Sequence, residues 1–110
     1  MRLRAGLVGR ADRVAVPVVV IGEYRFGIAQ SKHRASYESW LQEWIASVTV
    51  LDVNEETAQL YAVIGLELRK KGRPIPTNDL WIAALCRQYA LPVLSRDAHF
   101  DVAGVRRIGW

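Results

Sequence analysis

The sequence predicts an α/β domain built on a mostly parallel sheet. Short segments rich in β-branched residues alternate along the chain with longer segments of helical periodicity, the pattern expected for such a domain. The chain has 110 residues, 51% of them hydrophobic and 24% charged. This balance is typical of a globular domain and suits a single one, so we interpret residues 1–110 as one domain.

Composition excludes several other classes of protein. The longest apolar run, Val14–Gly22, has nine residues, whereas a membrane span needs about 20. No long apolar region with a cleavage site follows the basic N-terminus, so we expect a cytoplasmic protein without a secretory signal. Cys86 is the only cysteine, which excludes an internal disulfide and a cysteine-built zinc site. Most of the net charge of +4 lies in residues 1–14, which carry four arginines and one acid.

The first segments of the chain are the hardest to interpret. Residues 1–13 lack a clear strand or helix pattern and are a candidate for disorder. Val14–Val20 is rich in β-branched residues, yet Pro17 interrupts it, and proline cannot donate to a ladder. Two interpretations remain. Either a strand runs to Ile21, or a strand at Val14–Val16 precedes a helix with Pro17 near its first turn; propensity alone favours the first.

The later elements carry clearer signals. Ala35–Ala46 reads as a helix with Trp40 and Trp44 on one face, either in the core, which we favour, or in an exposed groove. Asn54 is a suitable N-cap for a helix that runs to about Lys71, and Gly72 suits the position after it. The remaining predicted elements are a strand at Val48–Val53, a buried helix at about Asp79–Ala90 capped by Thr77 or Asn78, and strands at Pro92–Ser95 and Val105–Ile108.

Three carboxylates fall near the same predicted edge of the sheet. Glu23 follows an apolar run, Asp79 begins an apolar helix, and Asp97 comes just after a strand. Strand carboxyl ends and helix N-termini converge on one edge of a parallel sheet, where ligands bind. Clustered carboxylates select Mg²⁺ or Mn²⁺. Taken singly, each acid also has a structural explanation: a helix dipole for Asp79, a turn for Asp97 and solvation for Glu23.

Four segments resemble the conserved blocks of PIN-domain proteins, especially VapC-type toxins. TNDLWIAA at Thr77–Ala84 is the most specific match. VPVVVIGEYRFG at Val16–Gly27 is similar to the family's second block, and LSRDAHF at Leu94–Phe100 to its fourth. The closing GVRRIGW, Gly104–Trp110, resembles the family's last strand. The resemblance covers roughly residues 14–110.

The resemblance implies a PIN-like three-layer α/β/α sandwich that cuts RNA with Mg²⁺ or Mn²⁺. Glu23, Asp79 and Asp97 match the family's metal-binding, catalytic acids. Asn78 and Ser95 match supporting positions beside them. The resemblance also favours a helix from Pro17 through Glu23. It further implies an antitoxin partner and a possible homodimer, and no membrane. Arg96 and Arg25 are candidates for contacts with RNA phosphates.

The sequence departs from the family pattern in one respect. PIN domains usually open with a strand that ends in Asp-Thr or Asp-Ser, and residues 1–13 contain no such block. Asp12 does not match the motif, so we expect the family's first strand to be missing. Two hypotheses follow. The chain is a Mg²⁺-dependent ribonuclease of the VapC type with three acids, or it is a truncated or degenerate PIN domain that binds antitoxin or RNA without cutting.

Overall fold

The molecule is built on one β-sheet. We describe it from a computed structural model for residues 6–8, 14–94 and 107–108. Within these ranges the chain forms five strands, all in one sheet, in the order β3-β2-β1-β4-β5. The strands are β1 (Gly6–Val8), β2 (Val14–Pro17), β3 (Thr49–Leu51), β4 (Val93–Leu94) and β5 (Arg107–Ile108).

The central strand, β1, runs against all the others. It pairs antiparallel with β2 on one side and with β4 on the other, while β2 with β3 and β4 with β5 are parallel pairs. Four of the five strands in the described part therefore run the same way, which confirms a mostly parallel α/β sheet. The expectation that residues 1–13 hold no strand is wrong for Gly6–Val8. Those residues supply backbone groups that pair with both neighbouring strands, so the centre of the sheet is closed.

Pro17 marks the change from strand to helix. β2 ends at Pro17 and helix α1 (Val18–Ala29) begins at the next residue, so the second interpretation of this segment is correct. Pro17 has φ −61° and ψ 138°, an extended conformation that its ring allows at a helix start. Burial of Val20, Ile21 and Ile28 outweighs the β propensity of the valines.

The two tryptophans of the predicted second helix stack on each other. Helix α2 spans Arg34–Ser47, and the rings of Trp40 and Trp44 lie 5.7 Å apart and nearly parallel, at 6°. The ring of Tyr24 from α1 meets both of them edge-on. Both tryptophans are half-buried, and Trp44 packs against the core. The pair thus joins α1 to α2 at the border of the core rather than inside it.

Helix α3 (Glu55–Lys70) has the predicted start and end. The Asn54 side chain accepts a hydrogen bond from the Thr57 backbone at 3.1 Å, and the Asn54 backbone donates to Thr57 Oγ1 at 3.1 Å. This reciprocal capping box satisfies the first amides of the helix. At the other end Gly72 has φ +67°, the left-handed conformation that suits glycine.

Helix α4 (Thr77–Gln88) is the buried helix that the sequence predicts. Seven of its residues are buried, and Ile82, Ala83, Ala84 and Leu85 are completely so. They pack against core residues of α1, α3, β2 and β4. The expected cap at Thr77 or Asn78 is wrong, because Pro76 occupies the cap position and the described residues give it no side-chain cap. The extended backbone of Pro76 begins the helix, and its carbonyl accepts from the Leu80 amide.

Candidate active site

An open groove of about 470 Å³ lies between α1 and the start of α4. It is lined by Glu23 and Asn78, together with Val19, Gly22 and Phe26. Glu23 and Asn78 stand 55 positions apart in the sequence, and the fold brings them to the same groove. The structure therefore joins two of the side chains that the sequence assigns to the site.

Helix α1 positions Glu23 on the groove wall. Val19 precedes Glu23 by four residues and Phe26 follows it by three, so all three lie on one face of the helix. Val20 and Ile21 are buried in the core and fix the rotation of the helix. As a result the half-buried Glu23 is held toward the groove, where its carboxylate can meet a ligand.

Asp79 lies in the first turn of α4, directly after the exposed Asn78. Only 1% of Asp79 is exposed, which makes it the one buried acid among the described residues. Burial of a carboxylate is costly unless nearby charge or hydrogen bonds compensate. A position at a helix N-terminus provides favourable partial charge from the helix dipole. Asn78 of the same turn lines the groove, whereas Asp79 is not among the residues that line it.

The remaining predicted residues divide into two groups. Asp97, Ser95 and Arg96 lie outside the described residues. Arg25 is exposed on α1 but is not among the residues that line the groove. Within residues 15–93, whose side chains are described, no three histidine, cysteine, aspartate or glutamate side chains are grouped closely enough to hold a metal ion.

The side chains that the sequence assigns to the site carry oxygen donors, which suit a hard divalent cation. Glu23 and Asp79 offer carboxylate oxygens, and Asn78 offers an amide oxygen. Oxygen donors of this kind select Mg²⁺ or Mn²⁺ over softer metals. In donor type, Glu23, Asn78 and Asp79 suit the metal that the family resemblance implies.

Phe26 is a groove residue that the sequence does not single out. Its side chain is 69% exposed, the largest exposure among the large apolar side chains described. It lies within the segment that resembles the second PIN block, and nothing in that segment's pattern distinguishes this phenylalanine from a core residue. Its spacing from Glu23 becomes informative only when the segment is known to be helical.

The direction of β1 determines where its carboxyl end lies relative to the candidate site. β2 ends at Pro17 and β4 at Leu94, and Gly6, at the start of β1, pairs with Leu94. The far end of β1, Val8, pairs with Val14 at the opposite edge of the sheet. The carboxyl end of β1 therefore points away from the edge at which α1 begins. Asp12 lies outside the described residues.

Comparison with known proteins agrees with this architecture. Residues 2–105 match the PIN domain family. Ribonuclease VapC5 of Mycobacterium tuberculosis is 37% identical over 92 residues, which cover 81% of this chain and 67% of that protein. Ribonuclease VapC2 of Rickettsia felis is 27% identical over 78 residues, covering 71% of this chain and 58% of that protein.

Solved structures share the same fold. A crystal structure of VapBC-5 from M. tuberculosis, a member of the VapBC family of toxin-antitoxin systems, contains a chain with a TM-score of 0.74 and 29% identity. The match covers 93% of this chain and 89% of that one. VapBC2 from R. felis, bound to a DNA fragment from its promoter, gives a TM-score of 0.83 at 22% identity, covering 89% and 75% of the two chains.

These matches establish that the chain belongs to the PIN domain family, and to its VapC type. The predicted PIN-like sandwich is thereby confirmed. The chain spans between 58% and 67% of the length of the five curated VapC relatives that it matches. Among the described residues no helix is both long and apolar enough to cross a membrane.

Proposed function

We propose that the chain is a metal-dependent endoribonuclease, the toxin component of a VapBC-type toxin-antitoxin system. The observation that carries this proposal is the groove that joins Glu23 of α1 to Asn78 of α4, with the buried Asp79 in the same turn. The relatives named as VapC ribonucleases support the activity. Solved VapBC complexes of the same fold support an antitoxin as partner.

In this proposal Glu23, Asp79 and Asp97 would hold Mg²⁺ or Mn²⁺, with Asn78 and Ser95 supporting them. Such a cation lowers the pKa of bound water and stabilises charge at the phosphorus under attack. Without positive charge, Glu23 and Asp79 would repel a phosphodiester, so RNA binding in the groove depends on cations. Asn78 is exposed in the groove, and its amide can donate a hydrogen bond to a phosphate or ribose oxygen.

Other side chains would hold the RNA itself. The exposed Phe26 ring offers a face on which an unpaired base can stack. Arg25, exposed on α1, would meet a phosphate beside the groove, as would Arg96. Such stacking needs an unpaired base, so this arrangement favours single-stranded RNA over a paired helix.

The central test replaces the buried acid. Asp79→Asn keeps the shape of the side chain and removes its charge, and Glu23→Gln does the same on α1. We expect each to lower the rate of RNA cleavage with Mg²⁺ by more than about 100-fold, the size of a lost electrostatic contribution to the transition state. Circular dichroism and thermal melting establish that the variants fold.

Glu43→Gln is the matched control, because Glu43 is exposed on α2 and does not line the groove. It should cleave like the parent chain, and excess EDTA should stop both. Full cleavage by a folded Asp79→Asn variant would overturn the assignment of the site.

A second candidate function is a PIN domain that binds antitoxin or RNA without cutting. The reversed direction of β1 favours it, since the carboxyl end of that strand lies away from the candidate site. This alternative predicts no cleavage with Mg²⁺ or Mn²⁺ while antitoxin binding persists. Cleavage measured in parallel with antitoxin binding, for the parent chain, distinguishes the two functions.

A further inference from the structure

Four exposed cations lie together where α3 ends. Residues 68–78 contain no acid, and every charged side chain among them is positive. The rest of residues 15–110 has the opposite balance, with ten acids against seven bases. Runs of lysine and arginine this dense are typical of surfaces that bind nucleic acids. We call this group the basic turn, and it consists of Arg69, Lys70, Lys71 and Arg73, all of them solvent-exposed.

The backbone holds the basic turn in one shape. The Gly72 amide donates to the Arg69 carbonyl at 3.1 Å, and the Arg73 amide donates to the Leu68 carbonyl at 2.9 Å. With Gly72 at φ +67°, these two hydrogen bonds form a Schellman motif. Pro74 follows directly and restricts Arg73 to extended conformations. The main chain therefore keeps the four cations close together, although their charges repel one another.

The helix dipole accounts for only part of the basic turn. Arg69 and Lys70 lie in the last turn of α3, where cations are favoured. Lys71 occupies the cap position, and Arg73 lies two residues beyond it. The dipole effect falls off outside the last turn, so the positive charge of Arg73 needs another explanation.

The acids of the chain leave the basic turn available to a partner. Glu67 is the acid nearest to it in the sequence, and the Glu67 carboxylate accepts a hydrogen bond from Arg87 at 3.0 Å. Lys71 contributes less than Arg87 to the lowered pKa of Glu67. Within the described part of the chain no carboxylate forms an ion pair with any of the four cations. The basic turn can therefore meet an anion from outside the molecule.

The basic turn lies at the groove end of α4. Near the start of α4, Leu80 packs against Gly65, where an added Cβ would lie 3.3 Å from Leu80 Cδ2. Near the end of α4, Gln88 accepts a hydrogen bond from Thr57. Residues late in α3 thus lie beside residues early in α4, so the two helices run in opposite directions. The end of α3 is therefore adjacent to the start of α4, where Asn78 lines the groove.

A short piece of chain links the basic turn to the groove. Asn78 follows Arg73 by five residues, so their Cα atoms are at most about 18 Å apart. A nucleic-acid strand carries a phosphate about every 3.4 Å of helix length, so a few nucleotides cover this distance. The carboxylate of Glu23 repels phosphates within the groove. RNA held there needs cations outside the groove, and the basic turn is the densest group of them in residues 14–94.

We propose that the basic turn binds the phosphates of an RNA strand where that strand extends beyond the groove. This proposal rests on the proposed ribonuclease function, because it concerns the binding of the same substrate. The partner is RNA because a strand held in the groove continues past the start of α4 and carries one negative charge per nucleotide. The groove then positions the bond to be cut, and the basic turn anchors the strand a few nucleotides away.

Binding of RNA oligonucleotides provides the test. A 12-nucleotide oligouridylate is titrated with Mg²⁺ into the Asp79→Asn background, so that binding is measured without cutting. Lys71→Gln combined with Arg73→Gln removes two charges from the basic turn. We expect the dissociation constant at 0.1 M salt to rise at least about tenfold. The slope of log K against log salt concentration should fall in magnitude by about 1.4, because each phosphate contact of a single strand contributes about 0.7.

Three controls isolate the effect. Lys32→Gln combined with Arg34→Gln removes the same charge from exposed positions near the start of α2, and this variant should bind the 12-mer nearly as well as the background does. Lys71→Arg combined with Arg73→Lys keeps the charge and should also bind normally. The dinucleotide UpU is too short to reach from the groove to the basic turn, so the Gln double variant should bind it unchanged. Thermal melting establishes that every variant folds.

Three results would overturn the proposal. One is a folded Gln double variant that binds the 12-mer as tightly as the background does. Another is an equal loss in the Lys32 and Arg34 control, which would reflect net charge rather than the basic turn. The last is polyglutamate that binds as tightly as the 12-mer and loses as much affinity in the double variant, which would assign the surface to an acidic protein.

Cleavage is measured separately and distinguishes this proposal from the proposed function. A parent chain that binds the 12-mer through the basic turn but cuts no RNA supports the binding proposal and contradicts the nuclease. A chain that cuts RNA with a KM independent of the basic turn contradicts only the binding proposal. A parent chain that binds no RNA contradicts both.

Discussion

The Arg87 guanidinium donates a hydrogen bond to the Glu67 carboxylate, with Nη2 and Oε2 3.0 Å apart. This pair links α4 to α3 across their shared surface. The hydrogen bond from Arg87, aided by its positive charge, lowers the pKa of Glu67 below its ordinary value of 4.5. A lowered carboxyl pKa stabilises the folded state above the unfolded pKa, and that stabilisation is lost as the pH falls through the folded value.

Glu67→Gln should therefore destabilise the protein at neutral pH and have little effect in acid. The difference in melting temperature between the parent chain and the variant should be largest at pH 7 and shrink as the pH falls below about 4.5. Glu38→Gln, at an exposed position on α2, serves as the control. A difference that stays constant from pH 7 to pH 3 would contradict the ion-pair explanation.

The capping box at the start of α3 extends to α4 through Thr57. The Thr57 hydroxyl is fully buried and donates to Gln88 Oε1, and the Gln88 amide donates to Asn54 Oδ1 at 3.1 Å. Thr57→Val keeps the shape and removes the hydroxyl, so we expect a loss of about 1–2 kcal/mol in the free energy of unfolding. Urea denaturation measures this loss in the free energy of unfolding.

A double-mutant cycle with Asn54→Ala checks this network. The two residues share their hydrogen bonds, so the combined variant should lose less than the two single losses added together. Strict additivity would show that Thr57 and Asn54 act separately.

The same substitution, glycine to alanine, should have opposite effects at two positions. Gly27 lies inside α1, and a Cβ there meets nothing within 4 Å, so Gly27→Ala should stabilise the protein by about 0.5–1 kcal/mol. Gly72 also has open space, but its φ of +67° strains any residue with a Cβ. Gly72→Ala should therefore destabilise by about 1–2 kcal/mol. Urea denaturation measures both changes in the free energy of unfolding. If both have the same sign, the explanation from backbone conformation is wrong.

Cys86 should be unreactive in the folded protein. It is 2% exposed, and burial raises the pKa of its thiol from 9.0 to about 12. Because the folded pKa is raised, the resulting stabilisation is complete below pH 9.0 and is lost as the pH rises toward 12. The reaction with a thiol-specific disulfide reagent at pH 8 should be at least about 100-fold slower than in urea. Equal rates in the two conditions would show that the thiol is accessible.

Phe26 should affect RNA binding more than folding. Its side chain is 69% exposed, so Phe26→Ala should leave the melting temperature nearly unchanged. Loss of a stacked base costs about 1–3 kcal/mol, which corresponds to a five- to 150-fold rise in the dissociation constant. Binding is measured by titration of a single-stranded RNA into the Asp79→Asn background, and Phe26→Trp should retain it. An Ala variant that binds as well as the parent would remove Phe26 from the substrate site.

The sequence predicts elements well where the signals are local. Asn54 and Gly72 mark the two ends of α3, and the predicted α2 begins and ends within one residue of the observed helix. Pro17 shows the limit, because propensity favours a longer strand there. Packing of Val20 and Ile21 against the core selects the helix, and such contacts are invisible to local patterns.

Strand β1 cannot be predicted from local patterns. Its three residues, Gly6–Val8, are too few to show periodicity, and one of its two partner strands, β4, lies more than 80 positions further along the chain. The candidate site is harder to predict from the sequence than α3 and easier than β1. Glu23 and Asn78, which the family resemblance singles out, line the same groove, whereas Phe26 lines it without any signal in the sequence. Asp97 remains a prediction because it lies outside the described residues.

The antiparallel direction of β1 also affects how the sheet can assemble. Val8 pairs with Val14, only six positions later, whereas the parallel register joins Ala15 to Thr49, 34 positions apart. Closing the shorter loop costs less entropy, by about 1.5 kcal/mol for a flexible chain. Contacts of short sequence separation also form faster. In a parallel arrangement the central strand could pair only after a long crossover had closed. Here β1 can pair with β2 first, and the strands that pair later then align with this hairpin.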